Sequence, residues 1–218
     1  MGQLMNRHLM IGKSFWENVK IPNDYERLEY VLGNYTSSHF DTGISGDNNN
    51  LRFKICVELN FFMNYFYIFG NYIDEGTNCW RLLTATEDGM FYQTPNRKTG
   101  ASGVINLKQS FLDKKLYFDL SQPKGYCYIK NERHGTTKTT TNGTQNTNNI
   151  IFGYSHVGYG SMNSTRRVKW YYFTVWDDGV MIRNYIPCRR KSDDKAGFYD
   201  TVNKEFKISE GSSDFILP

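Results

Sequence analysis

The chain has 218 residues and a net charge of +4, and Phe, Tyr and Trp make up 16% of it. That length fits one sandwich domain able to bury a core without staples, and the aromatic share suits strands and binding surfaces. So mild a positive charge is not the excess of a protein that neutralises many phosphates, and nucleic acid is not an expected partner.

Residues 1–24 read as an arm ahead of the first strand. They lack the uninterrupted apolar core of a signal peptide. Ser14, with Glu17 three residues on, predicts a short helix over 14–20. Leu9, Met10, Phe15 and Trp16 belong to a dense apolar set there, which must dock either on another subunit or on its own domain. Residues 25–218 then read as one β domain. In Leu51–Leu59 every odd position is apolar and most even ones are charged, the pattern of a strand with one wet face. The longest apolar stretch, residues 61–69, is broken by Asn64. It falls short of the ~20 residues of a membrane span, so no membrane is expected. Leu116, Phe118 and Leu120 repeat the alternation, with Tyr117 and Asp119 on the other face. Residues 135–149, almost all Thr, Asn, Gly and Gln, read as a mobile loop or hairpin tip. Residues 168–176 are apolar or aromatic on both faces and predict a central, covered strand. Asp178-Gly179 predicts a tight turn into the next one. Helical patterning is otherwise scarce, and strands spaced by Gly and Asn turns point to an antiparallel two-sheet sandwich.

The chemistry points to binding. Cys56, Cys79, Cys127 and Cys188 are widely spaced without a metal-ligand pattern, so free thiols are expected. Cys188, beside Arg189-Arg190-Lys191, is expected to react fastest if that charge lowers its pKa. Glycosidic hydrolysis needs paired carboxylates flanking the bond. The acidic pairs here, such as Asp177-Asp178 and Asp193-Asp194, are adjacent residues in turn-like sequence. His8, His39, His134 and His156 show no ligand spacing and adjoin no nucleophile motif. No enzyme is expected. Sequons stand at Asn34, Asn142 and Asn163 and mean little without a secretory route. Trp80, Tyr92, Tyr154 and Tyr159 fall in or beside predicted loops, where aromatic rings either stack on sugars or pack beneath the loops. Arg166, in Arg166-Arg167-Val168-Lys169, is either at a solvated strand end or turn or a contact for an anionic glycan or an acidic partner.

Two regions carry a resemblance. Leu28-Glu29-Tyr30-Val31 followed by His39-Phe40-Asp41-Thr42-Gly43-Ile44 resembles the opening of LamG-like, concanavalin A-like jelly-roll domains of bacteriophage and gut-bacterial surface proteins. The run from Trp170 to Gly179, then Ile186-Pro187-Cys188-Arg189-Arg190-Lys191-Ser192, then Gly197-Phe198-Tyr199-Asp200-Thr201-Val202 with Phe206, resembles the close of such domains. The resemblance spans about residues 25–217 and implies a jelly-roll sandwich whose opening and closing segments are neighbouring strands. It also implies a setting in a virion assembled in the bacterial cytoplasm, as a head fibre, decoration or tail component. The implied partners are other virion proteins, further copies of the chain and host surface polysaccharide. Some LamG relatives hold calcium through an Asp and an Asn at the sandwich rim. No such pair maps onto this sequence, so no metal or cofactor is expected.

Overall fold

A computed structural model describes residues 19–34, 38–48, 50–61, 66–71, 77–86, 89–93, 100–106, 112–121, 125–129, 132–134, 138–140, 144–145, 147–153 and 167–218. Among the described residues all regular structure is β and there is no helix. The first strands are β1 (Tyr25–Arg27), β2 (Val31–Asn34), β3 (Phe40–Ser45), β4 (Leu51–Leu59), β5 (Phe66–Gly70), β6 (Thr77–Asn78) and β7 (Arg81–Thr86). There follow β8 (Gly89–Gln93), β9 (Gly100–Asn106), β10 (Lys115–Ser121), β11 (Gly125–Ile129), β12 (Glu132–His134), β13 (Lys138–Thr140) and β14 (Thr144–Gln145). The last are β15 (Asn149–Phe152), β16 (Arg167–Asp177), β17 (Val180–Arg190), β18 (Ala196–Asp200) and β19 (Glu205–Lys207).

Two antiparallel sheets face each other. The larger runs β12-β11-β10-β4-β16-β17-β18-β19, with β1 added on β17 and β2 on β16. The smaller runs β13-β9-β8-β7-β5-β15-β3, and β6 and β14 form a separate parallel pair. Aromatic rings from both sheets fill the space between them. Phe53 lies 4.8 Å from Phe69, Phe173 stacks on Phe152 at 4.5 Å, and Tyr185 meets Phe40 edge-on at 5.0 Å. Such contacts add ~0.5–1.5 kcal/mol each beyond the area they bury.

Alternation decides which face each strand buries. Leu51, Phe53, Ile55, Val57 and Leu59 of β4 are all core residues, as the period of two predicts. Cys56 is buried as well, on the opposite face, bonded with Tyr117. β16 is central, flanked by β4 on one side and by β2 and β17 on the other. A bulge at Tyr171 shifts its register between Trp170 and Tyr172. Its core face is Val168, Trp170, Phe173 and Val175, whereas Tyr171, Tyr172 and Trp176 are half-buried. The expectation of cover on both faces is therefore corrected: one side of β16 is a partly wet surface. Asp178 and Gly179 form the predicted turn, with φ of 47° and 81°, the two positive values that a two-residue hairpin of matching twist requires.

The ends of the domain meet, as the resemblance implied. Tyr25 pairs with Arg190, Val31 with Trp170, and Leu32 bridges Ile216. Phe215 bridges Ala196 and packs 5.3 Å from Phe198, so the closing tail seals both β2 and β18. Of the arm, residues 19–24 are described. The Arg27 guanidinium donates to the Val19 carbonyl, and Lys191 donates through its backbone to Asp24 and through Nζ to Asn23. The predicted helix and Leu9, Met10, Phe15 and Trp16 lie outside the described residues. Within residues 135–149 the described segments, 138–140, 144–145 and 147–149, are more structured than their composition suggested. β13 pairs with β9, β14 with β6, and Asn149 opens β15. Backbone ladders need no apolar side chain, and Thr is a good strand residue.

Candidate functional site

The site is built on the outer face of the smaller sheet. Phe40, Phe69 and Phe152 point into the core, so their neighbours Asp41, Gly70 and Ile151 lie on the opposite face. Ile151 pairs with both Asp41 and Gly70, which sets the three in a row across β3, β15 and β5. Asn71, Thr147, Asn148 and Asn149 complete the walls of a cleft of about 510 Å³, within the ~300–1,000 Å³ usual for small-molecule sites.

A bulge in β3 shapes the Asp41 side. Asn149 pairs with Ser45 and Ile151 with Asp41, leaving Thr42, Gly43 and Ile44 opposite Ile150 alone. Gly43 takes φ of 67° there. Asp41 Oδ1 accepts the Gly43 N–H at 2.7 Å, and the Thr42 hydroxyl donates to the Ile150 carbonyl at 2.6 Å. Bulges of this kind re-aim side chains, and this one leaves the Asp41 carboxylate in the cleft. Its Oδ2 accepts the Asn149 amide N–H at 3.0 Å. Glu210, from the closing tail, accepts the Asp41 backbone N–H at 3.0 Å.

Asn71 fixes the other wall. It is 4% exposed, its Oδ1 accepts the Trp80 N–H at 2.9 Å, and its Nδ2 donates to the Asn148 carbonyl at 3.1 Å. The Gly46 N–H donates to the same carbonyl at 3.0 Å. The Ser45 hydroxyl lies 3.1 Å from the Thr147 carbonyl. Residues 147–149 are thus held in place from two sides, and the cleft is preformed.

The outer face of the larger sheet offers a different surface. Arg52 forms a two-pronged pair with Asp119 at 2.7 and 2.5 Å. Glu58 accepts from Lys169 and from the Tyr171 hydroxyl, and Lys115 pairs with Glu29 at 2.8 Å. Lys115 Nζ sits 4.2 Å above the Tyr171 ring, Lys54 5.3 Å above Trp176 and Lys169 5.2 Å above Tyr30. One side of each ring is therefore occupied by a cation. This face is internally compensated, with its stacking surfaces partly used.

The predicted site residues fare unevenly. Trp80 is corrected: it is 0% exposed, meets Phe53 edge-on at 4.8 Å, and donates its indole N–H to the Asn48 carbonyl at 3.1 Å. It supports the Asn71 wall from beneath and offers no face to a ligand. Tyr92 lies on β8, paired with Leu82 and Gly103. Tyr154, Tyr159 and Arg166 lie outside the described residues. In the second basic cluster Arg189 pairs with Glu26 and Asp194 and Arg190 with Asp193, while Lys191 donates to the Asn23 carbonyl. Hydrogen bonding from Arg190 holds the Asp193 carboxyl at about 2. The Cys188 expectation is corrected too. Burial pushes its thiol up to about 12 and does the same to Cys79. Sequence reasoning missed Asp41, Asn71 and Asn149. Asp41-Thr42-Gly43 carried the signal of a side-chain-capped turn, whereas Asn149 was hidden in a compositionally biased run.

Among the described residues no group of three or more His, Cys, Asp and Glu side chains could hold a metal ion, and no helix is long and apolar enough to cross a membrane. No family model, curated protein or solved structure matches the chain.

Proposed function

We propose that this chain is a non-enzymatic structural protein of a bacteriophage virion, a head-decoration, fibre or tail component assembled in the host cytoplasm, that displays a lectin-like sandwich. Its partners are other virion proteins, further copies of itself and host surface polysaccharide. The virion setting, and the jelly-roll, concanavalin A-like assignment of the sandwich, rest on the resemblance of the opening and closing segments. The observation that carries the binding reading is the preformed cleft in which Asp41, fixed by Gly43 and Asn149, is the one lining carboxylate among the described residues. One immobilised carboxylate with amides around it suits hydroxyl recognition, whereas hydrolysis of a glycoside calls for two.

Two measurements test this. Antibody labelling and mass spectrometry of purified particles should find the chain in the virion, and its absence from particles would remove the structural reading. A glycan array should return host-surface polysaccharides. Binding without incorporation would leave the second reading, a free carbohydrate-binding module, which the cleft also favours. In the virion reading the arm is the assembly element. Deleting residues 1–20 should leave a folded domain, because every described strand lies beyond residue 24, that no longer joins the particle or its own oligomer. Unchanged assembly by the truncated chain would overturn the arm's role.

A further inference from the structure

We infer that the cleft takes a neutral, hydroxyl-rich sugar and rejects acidic glycans such as uronates or sialosides, an inference that rests on the glycan reading above. The lining offers acceptors. The Asp41 carboxylate receives two hydrogen bonds, from Gly43 and Asn149, out of roughly four it can accept. Because the Asn149 amide nitrogen faces a carboxylate, its Oδ1 must point away from Asp41, and among the described residues that oxygen accepts nothing. Acceptors of this kind are satisfied by ligand O–H groups, which a neutral sugar supplies in adjacent pairs.

Charge points the same way. Although the chain is +4 overall, the cleft is lined by one carboxylate and by no Lys, Arg or His among the described residues. Arg81 stands opposite Gly70 in the ladder, on the same face, but is not among the residues that line the cleft. An anionic sugar would bring its charge against Asp41, and no cation among the described residues lines the cleft to receive it, a like-charge approach that costs binding. The floor suits a ring, since Gly70 contributes no side chain and Ile151 presents a half-exposed apolar surface.

The test uses the full chain in titration calorimetry against neutral hexose oligosaccharides and their uronic-acid counterparts of equal length. Two variants accompany it. Asp41→Asn removes the charge and an acceptor, and Ile151→Trp fills the floor without touching the hydrogen bonds. The expected result is binding of a neutral oligosaccharide that weakens about tenfold or more in Asp41→Asn, is abolished in Ile151→Trp, and survives EDTA. Tighter binding of the acidic series would overturn the inference and leave the glycan reading standing. So would neutral binding that both variants preserve, or binding that EDTA removes. Binding of neither series would overturn the glycan reading itself.

Discussion

A methyl group added at Gly46 would lie 1.6 Å from Asn71 Nδ2 and 2.8 Å from the Asn148 carbonyl oxygen. Neither atom yields easily, since each is hydrogen-bonded into the wall of the cleft. At Gly179, φ is 81° but an added methyl meets nothing within 4 Å. The two glycines therefore fail differently when replaced. Gly46→Ala should cost about 3 kcal/mol by overpacking, ~6–12 °C in melting temperature for a chain this size. Gly179→Ala should cost about 1–2 kcal/mol by backbone strain alone, and Gly179→Asn should recover part of it. Thermal melts decide the matter, and equal losses at both sites would contradict the packing argument. The thiols make a second case. With Cys56, Cys79 and Cys188 buried and unbridged, iodoacetamide at pH 8 should leave all three unmodified in the native protein and label them on unfolding. Rapid native alkylation of Cys188 would restore the sequence expectation that its basic neighbours govern it.

At the scale of the element, the strands most legible in the sequence were those whose two faces differ. Leu51–Leu59 and the 116–120 alternation gave their buried faces directly, and Asp178-Gly179 gave the hairpin. β16 was harder, because Tyr171 is inserted by a bulge and aromatic residues serve both the core and the wet face. Periodicity cannot separate those roles without knowing what packs opposite. The cleft was less legible still. It depends on Asp41, Gly70 and Ile151 sharing a row across three strands that are distant in sequence, and on a bulge that only pairing reveals. The wet face of β16 also carries a pH dependence. Partial burial pushes the Glu58 carboxyl up, but hydrogen bonds from Lys169 and Tyr171, with the nearby lysine charges, bring it net below the usual carboxylate range. A carboxyl lowered in the folded state stabilises above its unfolded pKa of ~4.3 and loses that contribution as pH falls through the lower folded value. The pair is partly exposed, so the effect is limited to about 1 kcal/mol. Glu58→Gln should therefore lose less melting temperature between pH 6 and pH 3 than the parent. Parallel curves would mean that the Glu58 interactions contribute nothing.

For the whole molecule, the pairing of β1 with β17 and of β2 with β16, and the seating of Phe215 beside Ala196 and Phe198, bear on when the protein can fold. A ribosome delivers β2 and β4 long before their partner β16 exists, and β16 itself must wait for β17. The large sheet therefore cannot close progressively as the chain emerges; its centre is laid down last. Topologies dominated by such distant pairings fold slowly and expose unpaired edges meanwhile. Nascent chains stalled with residue 165 just outside the exit tunnel should be fully protease-sensitive, and those extended past residue 217 should become resistant in one step. Protection growing gradually with length would mean that the smaller sheet stands without the larger. Every copy thus spends its synthesis with the apolar side of β4 uncovered, and its yield in the cell should depend on how many such chains are being made side by side.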